Sequence, residues 1–290
     1  MGRLGSIRTA IRAASSLVSA ALRELAVTKM HGTHNDFIVI DERAPQLSDY
    51  AGLARRLCDR AGEIGADGLL VLTAPPAGSD ALATMRIFNA DGSEAETCGN
   101  GIRCVAKYLA ERGAGDRFTI ATLAGPIKVE ILAHAPEFEV RADIGLPAFP
   151  QGGLAETIEA DGATWTYRSV SLGNPHIVIF VDDVAAVDVA RTGAVLATHR
   201  RFPDGTNVHF AQTHGRAELI VRHYERGVGI TQSCGTGAVA CAVAAILAGT
   251  ADSPVTVRVP GGRLRVAWTK GTSATMSGPA ETVFERTIEV

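Results

Sequence analysis

The 290-residue chain carries 28 Lys and Arg against 31 Asp and Glu, a net charge of -3, with 46% hydrophobic and 20% charged residues. So small a net charge excludes the electrostatic footprint of a nucleic-acid or anionic-membrane binder, and the composition excludes disorder and collagen-like repetition. No apolar run approaches the ~18 residues that span a bilayer, so the length is read as two modest soluble domains acting on a small molecule.

Residues 1–26 stand apart, with Arg3, Arg8, Arg12 and Arg23, several serines and Glu24 as the lone acid. They are read as an N-terminal extension or a start placed upstream of the Met30 neighbourhood, in preference to the organelle transit peptide whose Arg- and Ser-rich, acid-poor composition they share. From Val27 the text is short strands broken by Gly, Asp and Pro. Strands are expected over 37–40, 68–72, 83–88, 118–122, 127–133 and 138–144, with helices over 47–60 and 98–109. A Gly- and Pro-rich link over 145–153 marks a domain border. Beyond it, strands are expected over 165–170, 177–181, 207–211, 217–224, 255–259, 263–268 and 274–276, and a small-residue helix over 237–247. Strands outnumber helices and do not alternate with them, which is the pattern of an α+β fold.

Each half contains one prominent helix opened by a cysteine. NADGSEAETCGNG over 89–101 and ERGVGITQSCGTG over 225–237 both run from a polar residue through a loop to Cys-Gly-polar-Gly and a helix. Such a duplication puts Cys98 and Cys234 symmetrically about a cleft. A cysteine at a helix N-terminus is expected to have a lowered pKa, because free N–H groups and the helix dipole favour the thiolate. The following Gly-polar-Gly offers backbone N–H groups to a carboxylate. Two such helix ends aimed at one carboxylate would stabilise the charge that develops when its neighbouring carbon loses a proton. One sulfur removes the α-proton and the other returns a proton to the opposite face, so stereochemistry inverts without pyridoxal phosphate or metal.

The remaining cysteines, Cys58, Cys104 and Cys241, read as buried small hydrophobes. Five cysteines in an odd, sparse set imply a reduced, cytoplasmic setting without a disulfide framework. Neither Cys98 nor Cys234 has a Cys-x-x-Cys or a pair of histidines at ligand spacing, so no metal is expected.

MHGTHNDF over 30–37, FNADGSE over 88–94, CGNGIRC over 98–104, LGNPH over 172–176, FPDGTN over 202–207, YERGVG over 224–229 and CGTG over 234–237 together resemble the diaminopimelate epimerase family from about Lys29 onward. The resemblance implies two similar pseudo-symmetric domains, each a mostly antiparallel sheet around a central helix, over 27–145 and 146–276, with a last strand over 277–290 returning to the first. It implies cofactor-free interconversion of LL- and meso-2,6-diaminopimelate in lysine and peptidoglycan precursor synthesis. By residue, Cys98 and Cys234 would be the acid/base pair, and Gly99, Asn100, Gly235 and Thr236 would present the helix ends to the reacting carboxylate. Asn35, Asn89, Asn174, Asn207, Glu225 and Arg226 would hold the substrate's two ends, and His176 and Glu225 would adjust the cysteine pKa values. The partners implied are this substrate and, in a homodimer, a second copy of the chain. Three positions depart from the pattern: His34 replaces a common Gly, Gly68 lies where some members carry a Gln, and Ile230 replaces a common Glu. A racemase of another amino acid, such as histidine, and a thiol switch pairing Cys98 with Cys234 are the alternative readings.

Overall fold

The computed structural model describes residues 23–290. The first half contains β1 (Glu24–Gly32), β2 (Asn35–Glu42), α1 (Tyr50–Cys58), β3 (Gly68–Thr73), β4 (Ala81–Asn89), β5 (Glu94–Ala95), α2 (Gly99–Ala110), β6 (Arg117–Thr122), β7 (Gly125–Ala133) and β8 (Glu139–Gly145). The second contains β9 (Ala155–Ala160), β10 (Ala163–Ser171), β11 (Pro175–Phe180), α3 (Val189–Ala197), β12 (Asn207–Thr213), β13 (Glu218–Glu225), β14 (Gly229–Thr231), α4 (Gly235–Leu247), β15 (Val255–Val259), β16 (Gly262–Ala267), β17 (Ala274–Pro279) and β18 (Glu281–Glu289).

The ladders follow one continuous order: β18, β1, β2, β3, β4, β6, β7, β8, then β17, β16, β15, β13, β12, β11, β10, β9. Most pairings are antiparallel. The four parallel ones, β2–β3, β4–β6, β11–β12 and β13–β15, are each bridged by a helix, because strands running the same way need a crossover. The halves therefore match element for element, and they join where β8 pairs with β17.

Each sheet curls around its own central helix. Helix α4, GTGAVACAVAAIL, is apolar on every side and is buried from Gly235 to Ala245, packing on Val178, Ala211, Val221, Val257, Val266 and Met276. A helix apolar all round has no surface it can leave in water, so its sequence dictates the central position. Helix α2 occupies the same place in the first half, against Met30, Val39, Leu70, Met85, Val129 and Ala142. Helices α1 and α3 cover the outer faces. No helix among the described residues is long and apolar enough to cross a membrane.

Two expected boundaries move. Glu24, Leu25 and Ala26, grouped above with the extension, pair with Glu289, Ile288 and Thr287 as the start of β1; the leader reading otherwise falls on residues 1–22, outside the described residues. The break after residue 276 lies inside β17, a single strand hydrogen-bonded to both β8 and β16. Strand β9 and helix α3 were not anticipated: AETIEA over 155–160 has only two well-buried positions, and α3 is a short helix of nine residues.

Candidate active site

Cys98 and Cys234 are the N-caps of α2 and α4, both with extended backbone, and each sulfur accepts a hydrogen bond from a backbone N–H of the first turn: Gly101 at 3.4 Å and Gly237 at 3.4 Å. The two helix ends meet. A Cβ on Gly235 would lie 3.1 Å from Gly99 Cα, and one on Gly99 would lie 3.4 Å from Gly235 Cα. Only residues without side chains allow this approach. Asn100 spans the junction, donating from Nδ2 to Ser233 O at 3.1 Å and to Asn35 Oδ1 at 3.1 Å. Asn35 also donates to Asp67 Oδ2 at 2.7 Å and lies 3.9 Å from Cys98 Sγ. Thr236 Oγ1 is 3.8 Å from Cys234 Sγ.

The remaining candidates stand at or next to strand ends. Gly68 pairs with Asn89 across β3–β4, and His176 pairs with Asn207 across β11–β12. Asn89 donates to Ser93 Oγ at 2.9 Å. Asn207 donates to Pro175 O at 2.9 Å and accepts from Arg226 N at 3.0 Å. The exposed Arg226 donates to Asp204 O at 2.9 Å. Glu225 accepts from Thr231 Oγ1 at 2.5 Å. His176 is buried and reaches Asn174 Oδ1 at 2.9 Å and His209 Nε2 at 2.8 Å; neither of its ring nitrogens is bonded to a cysteine.

The electrostatics correct the expectation of lowered thiol pKa values. Burial pushes the Cys98 thiol up, and the N–H of Gly101 offsets this only in part. Cys234 is pushed well above the ordinary thiol value by burial and then by the Glu225 carboxylate beside it. The helix dipole is therefore outweighed in the free protein, because moving a thiolate out of water costs more than one N–H and a half-charge return. Both sulfurs are thiols at neutral pH. Alkylation of Cys98 and Cys234 by iodoacetamide at pH 7.5 should accordingly be slower than that of free cysteine and accelerate above pH 9; peptide mass spectrometry after timed pulses checks this. Faster labelling than free cysteine at pH 7.5 would show that burial does not dominate.

Arg103, which the sequence reading passed over, lies at the base of the junction. It is fully buried, and its guanidinium donates to Gly99 O (3.1 Å), Asn100 Oδ1 (2.9 Å), Thr33 Oγ1 (3.1 Å) and Pro279 O (3.0 Å). Burial lowers its pKa to about 10, so it remains charged, and the titratable groups beside it are the neutral thiols Cys104 and Cys98 rather than carboxylates. The sequence signal was its place four residues after Gly99, which on a helix points the side chain back toward the cysteine.

The three departures have structural readings. Thr33 and His34 are the two central residues of the β1–β2 hairpin, with φ of 52° and 61°. That left-handed turn explains why Gly suits position 34. Thr33 tolerates the strain because its Oγ1 is also 2.7 Å from Ser233 Oγ. A Cβ on Gly68 would lie 2.9 Å from Phe88 O, so a side chain there requires the backbone to shift. Ile230 faces solvent, and Thr231 makes the contact to Glu225.

Because the junction is so close, Gly235→Ala should push α4 away from α2 and lower kcat/KM about 100-fold, as expected for misplacement of catalytic groups by about an ångström. Steady-state kinetics beside an unchanged circular dichroism spectrum would show it.

The family model described as diaminopimelate epimerase matches residues 27–149 and 168–283. The diaminopimelate epimerase of Pelotomaculum thermopropionicum is 45% identical over 272 residues, covering 89% of this chain and 96% of that one. Diaminopimelate epimerase 1 of Nostoc sp. is 42% identical over 275 residues, covering 89% and 97%. Among solved structures, a phenazine biosynthesis protein of the PhzF family from Bacillus anthracis (18% identity, TM-score 0.71, 92% and 100% covered) and a hydroxyproline epimerase from Agrobacterium vitis (17%, TM-score 0.70, 92% and 93%) share the fold. With motif order, pseudo-symmetric halves and paired cysteine-capped helices all in agreement, the chain belongs to the diaminopimelate epimerase family.

Proposed function

We propose that this protein interconverts LL- and meso-2,6-diaminopimelate, for lysine and peptidoglycan precursor synthesis, by moving the α-proton between Cys98 and Cys234. The observation that carries this reading is the meeting of two helix N-termini, each capped by a cysteine, at Gly99 and Gly235. Backbone N–H groups at Gly99, Asn100, Gly235 and Thr236 suit a carboxylate and the charge it gains as the neighbouring carbon is deprotonated. Glu225, whose carboxylate acts on the Cys234 thiol, takes its proton in this reading. The Cys234 thiolate then removes the α-proton, and the Cys98 thiol gives its proton to the opposite face; the reverse direction exchanges the sulfur roles. No cofactor is needed for these steps. Asn35, Asn89, Asn174, Asn207 and Arg226 are assigned here as the hydrogen-bonding groups for a substrate with two charged ends. His176 would act on the site through Asn174, because it touches neither sulfur.

The domain division consistent with the ladders is 24–145 with β18, and 146–279. Five free cysteines fit a reducing cytoplasm. A homodimer through β18 is supported by its outer edge: among the described residues β18 pairs with β1 alone, and Val283 and Phe284 are exposed on it. Phe284→Asp should then lower the mass measured by sedimentation, and an unchanged mass would remove β18 from any interface.

The deciding experiment is to incubate purified, reduced protein with LL-diaminopimelate in deuterated water. The expected result is the meso isomer carrying deuterium at the inverted carbon. Exchange with histidine or another amino acid in place of diaminopimelate would reassign the substrate, and exchange with none would overturn the enzymatic reading.

A further inference from the structure

Three histidines on adjacent strands form a buried row facing α4. His176 on β11, His209 on β12 and His223 on β13 have relative exposures of 1%, 0% and 0%. His209 and His223 are directly opposite in the β12–β13 register. The row is continuous: Asn174 Oδ1 to His176 Nε2 (2.9 Å), His176 Nδ1 to His209 Nε2 (2.8 Å), and His209 Nδ1 to His223 Nδ1 (2.8 Å). Burial lowers His176 and His223 to about 3, aided by the charges of Arg226 and Arg222 respectively, and lowers His209 well below the usual imidazole value. All three are neutral at physiological pH.

A neutral imidazole has one N–H and one lone pair, so each link fixes the next. With Asn174 Oδ1 as acceptor, His176 carries its proton on Nε2. Its Nδ1 must then accept from His209 Nε2–H, and His209 Nδ1 must accept from His223 Nδ1–H. The row ends at His223 Nε2, a buried atom without a hydrogen-bond partner among the described residues, which in this arrangement is a lone pair. Turning the Asn174 amide over would reverse every tautomer and leave a buried N–H there instead. An orphaned buried N–H is the rarer and more costly of the two. The row therefore has a preferred sense, set at the end remote from Asn174.

We propose that His209 and His223 are positioning residues, holding the Asn174 amide with its oxygen toward His176 and its NH2 group free to donate to a substrate carboxylate. This rests on the epimerase reading and on Asn174 facing the substrate. His209 and His223 share a strand face with site residues, since Asn207 and His209, and His223 and Glu225, are each two apart on a strand. Nothing else in the proposed chemistry uses them.

The test compares wild type with His209→Leu, His209→Gln and His223→Leu. Leu at 209 cuts the row, whereas Gln can donate to His176 Nδ1 and accept from His223 in the same sense. Loss of one oriented donor to a charged group should raise KM for diaminopimelate about tenfold in His209→Leu, with kcat little changed and His209→Gln close to wild type. His223→Leu should raise KM less, because His176 and His209 remain linked. Nitrogen NMR of protein labelled in its histidines should show His176 protonated on Nε2 in the wild type and mixed between nitrogens in His209→Leu. A folded His209→Leu with wild-type KM, or a wild-type His176 protonated on Nδ1, would overturn the proposal. The NMR result decides the row without any turnover, so failure of the epimerase reading shows itself separately, as wild-type protein that does not exchange the α-hydrogen of diaminopimelate.

Discussion

Cys98→Ala and Cys234→Ala should each lower epimerisation by at least about 10³-fold, within the range that general acid and base groups contribute. The two losses should differ in kind. A variant retaining one sulfur can remove and return a proton only on the face that sulfur occupies, so it can exchange the α-hydrogen of one stereoisomer with deuterated solvent while forming almost none of the other. Cys98→Ala and Cys234→Ala should therefore exchange opposite isomers, the LL form in one and the meso form in the other. Nuclear magnetic resonance of each isomer incubated with each variant reads this directly. Exchange of both isomers by either variant would mean that a single base serves both faces. Serine in place of either cysteine should be nearly as damaging, since a hydroxyl gives up its proton far less readily than a thiol.

Arg103→Met should destabilise the fold by about 3–5 kcal/mol, because several buried acceptors lose a charged donor at once. Methionine fills much of the volume but leaves Gly99 O, Pro279 O, Asn100 Oδ1 and Thr33 Oγ1 without their donor. These four atoms belong to α2, the end of β17 and the β1–β2 hairpin, so one side chain joins segments far apart in sequence. Arg103→Lys should recover part of the loss, since an ammonium cannot reach four acceptors in fork geometry. Urea midpoints for the three proteins test the order, and equal midpoints for Arg103 and Met would show that these bonds contribute nothing net.

Much of this architecture was legible in the sequence because its signals are local. Helix α4 declares itself by small apolar residues on every side, and Cys98 and Cys234 by the repeated Gly-polar-Gly that follows each. Strands such as β3, GLLVLT, announce burial by unbroken apolar text. What escaped depends on tertiary partners. Strand β9 is half polar and becomes a strand only because β10 offers it an edge. Arg103, a charged residue in a helix, looks like a solvated surface group until its four acceptors arrive from other elements. The thiol pKa values went the wrong way for a related reason: a helix end is visible in sequence, whereas the depth of burial and the approach of Glu225 are not. His209 and His223 could have been found from strand alternation, since both fall two positions from a site residue on the same face.

The partnership of β18 with β1 places a timing constraint on biosynthesis. Strand β1 starts at Glu24, yet the neighbour it needs on one side starts only at Glu281. A nascent chain can curl β1 to β8 around α2 early, but that sheet keeps an open flank until residues 281–289 have cleared the ribosome. Closing contacts between residues more than 200 apart is slow compared with helix or hairpin formation. Maturation of the first half should thus follow, rather than precede, synthesis of the second, and premature termination just before β18 would release a protein with α2 in place and β1 unguarded against pairing with other chains.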